Sequence, residues 1–226
     1  MSPPINDRIT LVPVQDLLPA KRNTIGRVAW IVLLAFITTA CASFPDNRLP
    51  KVEETLTQAQ GSNKPSAYLA LRCMVDLSEG GEQPGVETVG PLPMLRQVVE
   101  KVVAESALFR SYTFDSFQAK NTDRVLQIEM RNYGSLGKAI GAGLLTGLTL
   151  FLIPSAATDN YKLTAKLFDR NGQLQKTYSY DDGITTWFGI WLLPMAGNTP
   201  QSAVLSVWEN MIRTLFRDVL KDNLLS

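Results

Sequence analysis

The side chains able to do covalent or acid–base chemistry are few, and their spacing narrows the options. The 226-residue chain contains no histidine. The commonest general base near neutral pH, and the commonest metal ligand, is therefore absent. Two cysteines, Cys41 and Cys73, are too few for a cysteine-based zinc site. Asp181 and Asp182 are adjacent and read as loop carboxylates just past a strand, with a metal or acid–base role as the competing reading. Ser135 and Lys138 match a serine–lysine nucleophile pair only weakly, and no Gly-x-Ser-x-Gly is present. Gly137-Lys138 precedes Gly141-x-Gly143, the wrong order for a phosphate loop, so these glycines fit close backbone packing. The chemistry therefore counts against an enzyme, and neither a metal nor a cofactor is expected. A net charge of +1 without a basic cluster counts against nucleic acid as a partner.

Cys41 is the exception, because of what precedes it. Val28 to Ile37 is an unbroken apolar run of about ten residues, the length of a signal-peptide core rather than a membrane span. Lys21, Arg22 and Arg27 supply a positive flank before it, and the small residues Thr38, Thr39 and Ala40 follow it. The segment resembles the lipobox of bacterial lipoproteins. That resemblance implies a signal peptide over residues 1–40, cleavage after Ala40, and a diacylglyceryl group with a palmitate-type chain on Cys41. Two features depart from the pattern: Thr38 stands where the family usually has leucine, and Met1 to Thr24 is long for the positive region. A start downstream of Met1 would explain the second. The competing reading is an uncleaved amino-terminal anchor helix in which Cys41 is incidental. Ala42, rather than an aspartate, follows the cysteine, which by the same resemblance implies the outer membrane of a Gram-negative envelope, with the domain facing the periplasm. Once Cys41 is lipidated, Cys73 is the only thiol left, and its alternating apolar neighbours predict a buried structural residue.

The elements that follow must present any site. Residues 41–66 are rich in Pro, Asn, Gln, Ser and Lys and read as a lipidated flexible tether, leaving 67–226 as an α+β periplasmic domain. Alternation predicts a strand from Tyr68 to Val75, then a Gly- and Glu-rich loop from Ser78 to Gly90. Apolar residues at three- and four-residue spacing predict a helix from Pro93 to Phe109. Short strands are expected at Tyr112 to Phe117, around Leu126 to Arg131, and from Tyr161 to Leu167. Asn171-Gly172 predicts a two-residue type I′ hairpin into Leu174 to Tyr180. Thr199 and Pro200 are an N-cap and first-turn pair for a last helix with Val204, Trp208, Met211, Ile212, Leu215 and Val219 as its apolar stripe. The order β-α-β-β-β-β-α fits an antiparallel-rich five-stranded sheet with two helices packed on one face.

Two connections carry no charge at all, residues 139–158 and 183–208. Strand alternation brings both out at the same pole of the sheet, where loops would ordinarily be polar. Leu150, Phe151, Leu152, Trp187, Phe188 and Trp191 are the candidate contact residues there. The inserts either fold back and complete the core, or form an interface with a protein partner or a second copy, or enter a bilayer.

Leu152-Ile153-Pro154, Tyr161-Lys162-Leu163 and Asn171-Gly172 resemble a pattern in small, uncharacterised proteobacterial lipoproteins, over about Leu126 to Pro194. The element order is also similar to anticodon-binding-like α+β envelope lipoproteins of the curli secretion type, whose inserts build a pore. The combined expectation is a non-catalytic envelope lipoprotein, an accessory or assembly component that binds another envelope protein or its own copies. The alternative is a membrane-anchored periplasmic carrier of lipid or a small ligand.

Overall fold

The computed structural model describes residues 41–52, 64–76, 85–134, 141, 144, 146–149, 152–195 and 197–225. The chain divides into two units, Met1–Thr38 and Thr39–Ser226, and every described residue belongs to the second. Its strands are β1 (Cys41–Pro45), β2 (Ser66–Asp76), β3 (Val86–Glu87), β4 (Ser111–Thr113), β5 (Arg124–Gly134), β6 (Ser155–Asp169) and β7 (Leu174–Phe188). Its two main helices are α1 (Leu92–Ser106) and α2 (Pro200–Lys221), and short 3-10 turns occupy Ser116–Asn121 and Ile190–Met195.

The alternating residues of the long strands decide the layering. Leu69, Leu126, Ile128, Met130, Leu163, Ala165 and Leu167 are buried in one cluster with Leu95, Val99 and Val102 of α1 and Met211, Ile212 and Leu215 of α2. The intervening strand residues, among them Arg72, Gln127, Lys162 and Lys166, are exposed. The fold is thus α+β, with both helices on one face of a seven-stranded sheet ordered β1-β7-β6-β5-β2-β3, β4 pairing with β2 off that path. Pairing is antiparallel except for β2–β5 and β2–β4. The parallel β2–β5 pair needs a crossover, and α1 lies within the connection that makes it.

Several expectations are corrected in detail. The five expected strands correspond to β2, β4, β5, β6 and β7; β1 and β3 are additional. Helix α1 ends at Ser106 rather than Phe109, because Ala107 takes a left-handed φ of 47° and donates its N–H to the Val103 carbonyl. Phe109 nonetheless stays in the core, edge-on to Phe216 with centroids 6.2 Å apart. The Asn171-Gly172 hairpin is not type I′, since only Gly172 has positive φ, at +76°. Gly172 N–H donates to the Asp169 carbonyl at 3.0 Å, and the Asp169 carboxylate accepts from the N–H groups of Asn171 and Gln173 at 2.9 Å each. A side-chain acceptor at Asp169 thereby selects the longer turn with one glycine in the left-handed region.

The largest correction concerns the tether. Residues 41–52 are built into the domain. β1 pairs antiparallel with β7, from Cys41 opposite Phe188 to Pro45 opposite Ile184. Ala42 is fully buried, and the hydroxyls of Ser43 and Thr186 are bonded at 2.7 Å. The chain then rounds the edge of the sheet to α2. The buried Asp182 carboxylate accepts from the N–H groups of Gly183 at 2.8 Å and Arg48 at 3.2 Å, and the Asn210 side chain accepts from Val52 N–H at 3.0 Å. Asp181 and Asp182 accordingly lie within β7, not in a loop after it.

Arg48 bonds Asp46 and Asn160 at 2.6 Å each, a bracket that passes over Gly183. A Cβ on Gly183 would lie 2.8 Å from the Asp46 carboxylate, 2.9 Å from the Asp159 carbonyl oxygen and 3.0 Å from the Arg48 guanidinium. The carbonyl belongs to the paired strand and cannot move aside cheaply. Gly183→Ala is expected to destabilise the domain by about 1–3 kcal/mol, read as a lower urea midpoint at unchanged slope.

Candidate functional site

Three strand ends meet abreast at one pole. β6 begins at Ser155 and β7 ends at Phe188, which pair with each other, and β1 begins at Cys41, which pairs with Phe188 from the other side. One residue inward, Ala42 and Ala156 flank Trp187. The first uncharged insert arrives at Ser155 and the second leaves from Phe188, so both emerge here beside Cys41. The common pole expected from strand alternation is the arrangement found.

The inserts are tied to each other and to the sheet by polar bonds that leave their apolar surfaces outward. The Trp191 indole N–H donates to the Leu152 carbonyl at 3.2 Å, linking the second insert to the first. The hydroxyls of Thr146 and Ser155 are bonded, which attaches the first insert to the start of β6. Asn198 accepts from Ser43 N–H at 2.8 Å and donates to the Met195 carbonyl at 2.9 Å, so the second insert is fastened to β1. Within the first insert, Gly141, Leu144 and 146–148 are helical.

Of the expected contact residues, Leu152, Trp187 and Trp191 are exposed, at 57%, 44% and 69%, and Phe188 is partly buried at the pairing with Cys41. Leu150, Phe151 and Ala40 lie outside the described residues, as do Ser135, Gly137, Lys138 and Gly143. Leu144, Leu148, Ile153 and Met195 join the exposed set and were not singled out in advance. Their signal was present in the same uncharged runs, with Leu144 and Leu148 at the one-turn spacing that puts two side chains on one helix face. A segment that completed the core would bury such residues. Among the described residues of the inserts, Leu144, Leu148, Leu152, Ile153, Trp187, Trp191 and Met195 instead stay exposed, while Ile184 and Trp208 of the second run are buried and Phe188, Ile190, Leu192 and Leu193 are partly buried.

The carboxylates singled out from the sequence are spent on structure. Asp182 is consumed by backbone donors, and Asp181 accepts from the Tyr133 hydroxyl at 3.2 Å. An open groove of about 540 Å³ lies between residues 45–52 and α2, rimmed by Lys51, Glu209 and Arg213 and containing none of the exposed apolar residues of the pole. Among the described residues, no helix is long and apolar enough to cross a membrane.

No protein-family model matches the chain, and no curated protein matches it. Among solved structures the domain bears a distant resemblance to a PelC dodecamer from Paraburkholderia phytofirmans, at 11% identity and a TM-score of 0.32, covering 76% of this chain and 93% of that one. It bears a similar one to a DUF4136 family protein from Bacteroides thetaiotaomicron, at 13% identity and a TM-score of 0.32, covering 78% and 97%. Likenesses this distant carry no argument about function.

Cys73 lies on the buried face of β2, 3% exposed, and burial pushes its thiol up to about 11, with the Glu87 charge adding to the shift. The neutral thiol is therefore the form present at neutral pH. In a Cys41→Ser protein at pH 8, Cys73 is expected to react with a thiol reagent only after denaturation. Rapid reaction of the native protein would contradict this placement.

Proposed function

We propose that the chain is a non-catalytic bacterial envelope lipoprotein, cut between Ala40 and Cys41 and held in the outer membrane, facing the periplasm, by the lipid on Cys41. The observation that carries this reading is the place of Cys41. A thiol preceded by a positive flank, an apolar run and three small residues begins an edge strand at the pole where both uncharged inserts emerge. A signal-peptide cleavage site follows a positive flank, an apolar run and small residues, and Cys41 comes directly after such a stretch and opens β1.

The role is that of an accessory or assembly component that holds another envelope protein or its own copies. The absence of histidine supports a non-catalytic role. So do the structural duties of Asp182 and the protonated state of Cys73. The carrier alternative has less behind it, because the groove beside α2 is open and rimmed by charge, whereas ligand sites are mostly enclosed and apolar.

Mass spectrometry of the chain produced in a Gram-negative host, together with labelled palmitate, tests the reading. The expected product starts at Cys41 and carries a diacylglyceryl thioether, and Cys41→Ser abolishes both the label and the cleavage. An intact leader with an unmodified Cys41 thiol would instead establish the uncleaved anchor.

A further inference from the structure

We infer that the apolar pole is a membrane-docking surface, seated in the interface of the bilayer that receives the lipid on Cys41. The inference rests on the proposed acylation of Cys41 and goes further, because it assigns a lipid occupant to the exposed residues of the two inserts.

The anchoring residue leaves the domain no slack. A lipoprotein with a tether can hold its domain away from the membrane, at any orientation. Here Cys41 itself is paired with Phe188, and Ala42 and Ser43 are buried. Neighbouring strands are about 4.8 Å apart, so Phe188 and Ser155 lie within about 10 Å of the acylated residue. A lipid seated in the bilayer thus brings the whole pole to headgroup depth. The pole meets the membrane at an effective concentration that no separate partner, including a second copy, can match.

The chemistry of the pole suits that depth. Leu144, Leu148, Leu152, Ile153, Trp187 and Trp191 are exposed, and no charged residue occurs over 139–158 or 183–208. Burying a carboxylate or ammonium would oppose insertion, and none stands in these segments. Indoles favour the interface between headgroups and acyl chains. Trp191 already spends its N–H on the Leu152 carbonyl, so its ring enters an apolar layer without an unpaired donor. Both helices lie on one sheet face, and the other face carries Arg72, Lys162 and Lys166, so neither competes as an apolar surface.

The test uses the full chain as processed by a Gram-negative host, reconstituted into phosphatidylethanolamine–phosphatidylglycerol vesicles with or without phosphatidylcholine brominated on its acyl chains. Trp187 and Trp191 report contact with the bromine, and Trp208, 3% exposed in the core, serves as the internal reference. The expected result is strong quenching by brominated lipid, lost in a Trp187→Phe/Trp191→Phe protein that still pellets with vesicles. Vesicle-bound protein whose emission brominated lipid leaves unchanged would overturn docking while leaving the lipoprotein reading intact. Two variants of that outcome are informative. Emission quenched by aqueous iodide places the pole in water, and emission shielded from both quenchers places it against a second copy or another protein; each contradicts docking. Acylation is read separately by the mass of the same sample. An unmodified Cys41 sinks the underlying reading; the leader then retains Trp30, and contact of the pole with lipid is read as the quenching lost in the Trp187→Phe/Trp191→Phe protein.

Discussion

The antiparallel register between Cys41–Pro45 and Ile184–Phe188 determines where the amino end of the domain lies, and therefore which residues stand beside Cys41. An edge strand of five residues has little stability of its own. It is held because its neighbours satisfy it on every side. Ser43 bonds Thr186 through its hydroxyl and Asn198 through its N–H, Asp46 N–H donates to Gly183, and the following segment ends against Asn210 of α2. The buried Asp182 carboxylate is part of the same device, since two backbone N–H groups pay for its removal from water. Gly183 is required for a related reason: the Asp46–Arg48 bracket occupies the space a side chain would need.

From this constraint the rest follows through topology. β6 must begin where β7 ends, because they form an antiparallel hairpin, and the insert before one and the insert after the other share that end. Pairing β1 to β7 then puts Cys41 at the same end. Sheet, inserts and Cys41 are thus aligned by backbone hydrogen bonds. The helices contribute by filling the opposite need. They cover one sheet face with the core, and the ion pairs Lys101–Glu209 and Arg213–Glu105 cross from α1 to α2 at its surface.

What could be read from the sequence depended on how local each signal was. α2 was legible almost residue by residue: Thr199 does cap it by accepting from Ser202 N–H, and every residue of the expected stripe is buried. β5 and Tyr161 to Leu167 of β6 alternate cleanly and were equally plain, and of β7 only the first half, Leu174 to Tyr180, was legible as a strand. β1 was not legible, because Cys41 to Pro45 is short, contains proline, and is fixed by a partner 143 residues away in the case of Ser43 and Thr186. The last part of β7 was hidden for the same reason. Gly183 to Phe188 is uncharged and reads as an insert until a strand on its far side gives it a second neighbour. The pole itself was inferable because it required only strand direction and the absence of charge. That Cys41 would join it was invisible, since a Pro-, Asn- and Ser-rich stretch after a lipobox-like segment reads as a tether.

The distinction between a paired β1 and a free tether is open to direct measurement by hydrogen exchange. Pairing predicts that the amides of residues 42–44 which bond β7 or Asn198 exchange slowly, opening together with β7. Exchange at the rate of an unstructured chain over 42–44, beside a protected β7, would contradict the account, because Cys41 would then be free of the pole.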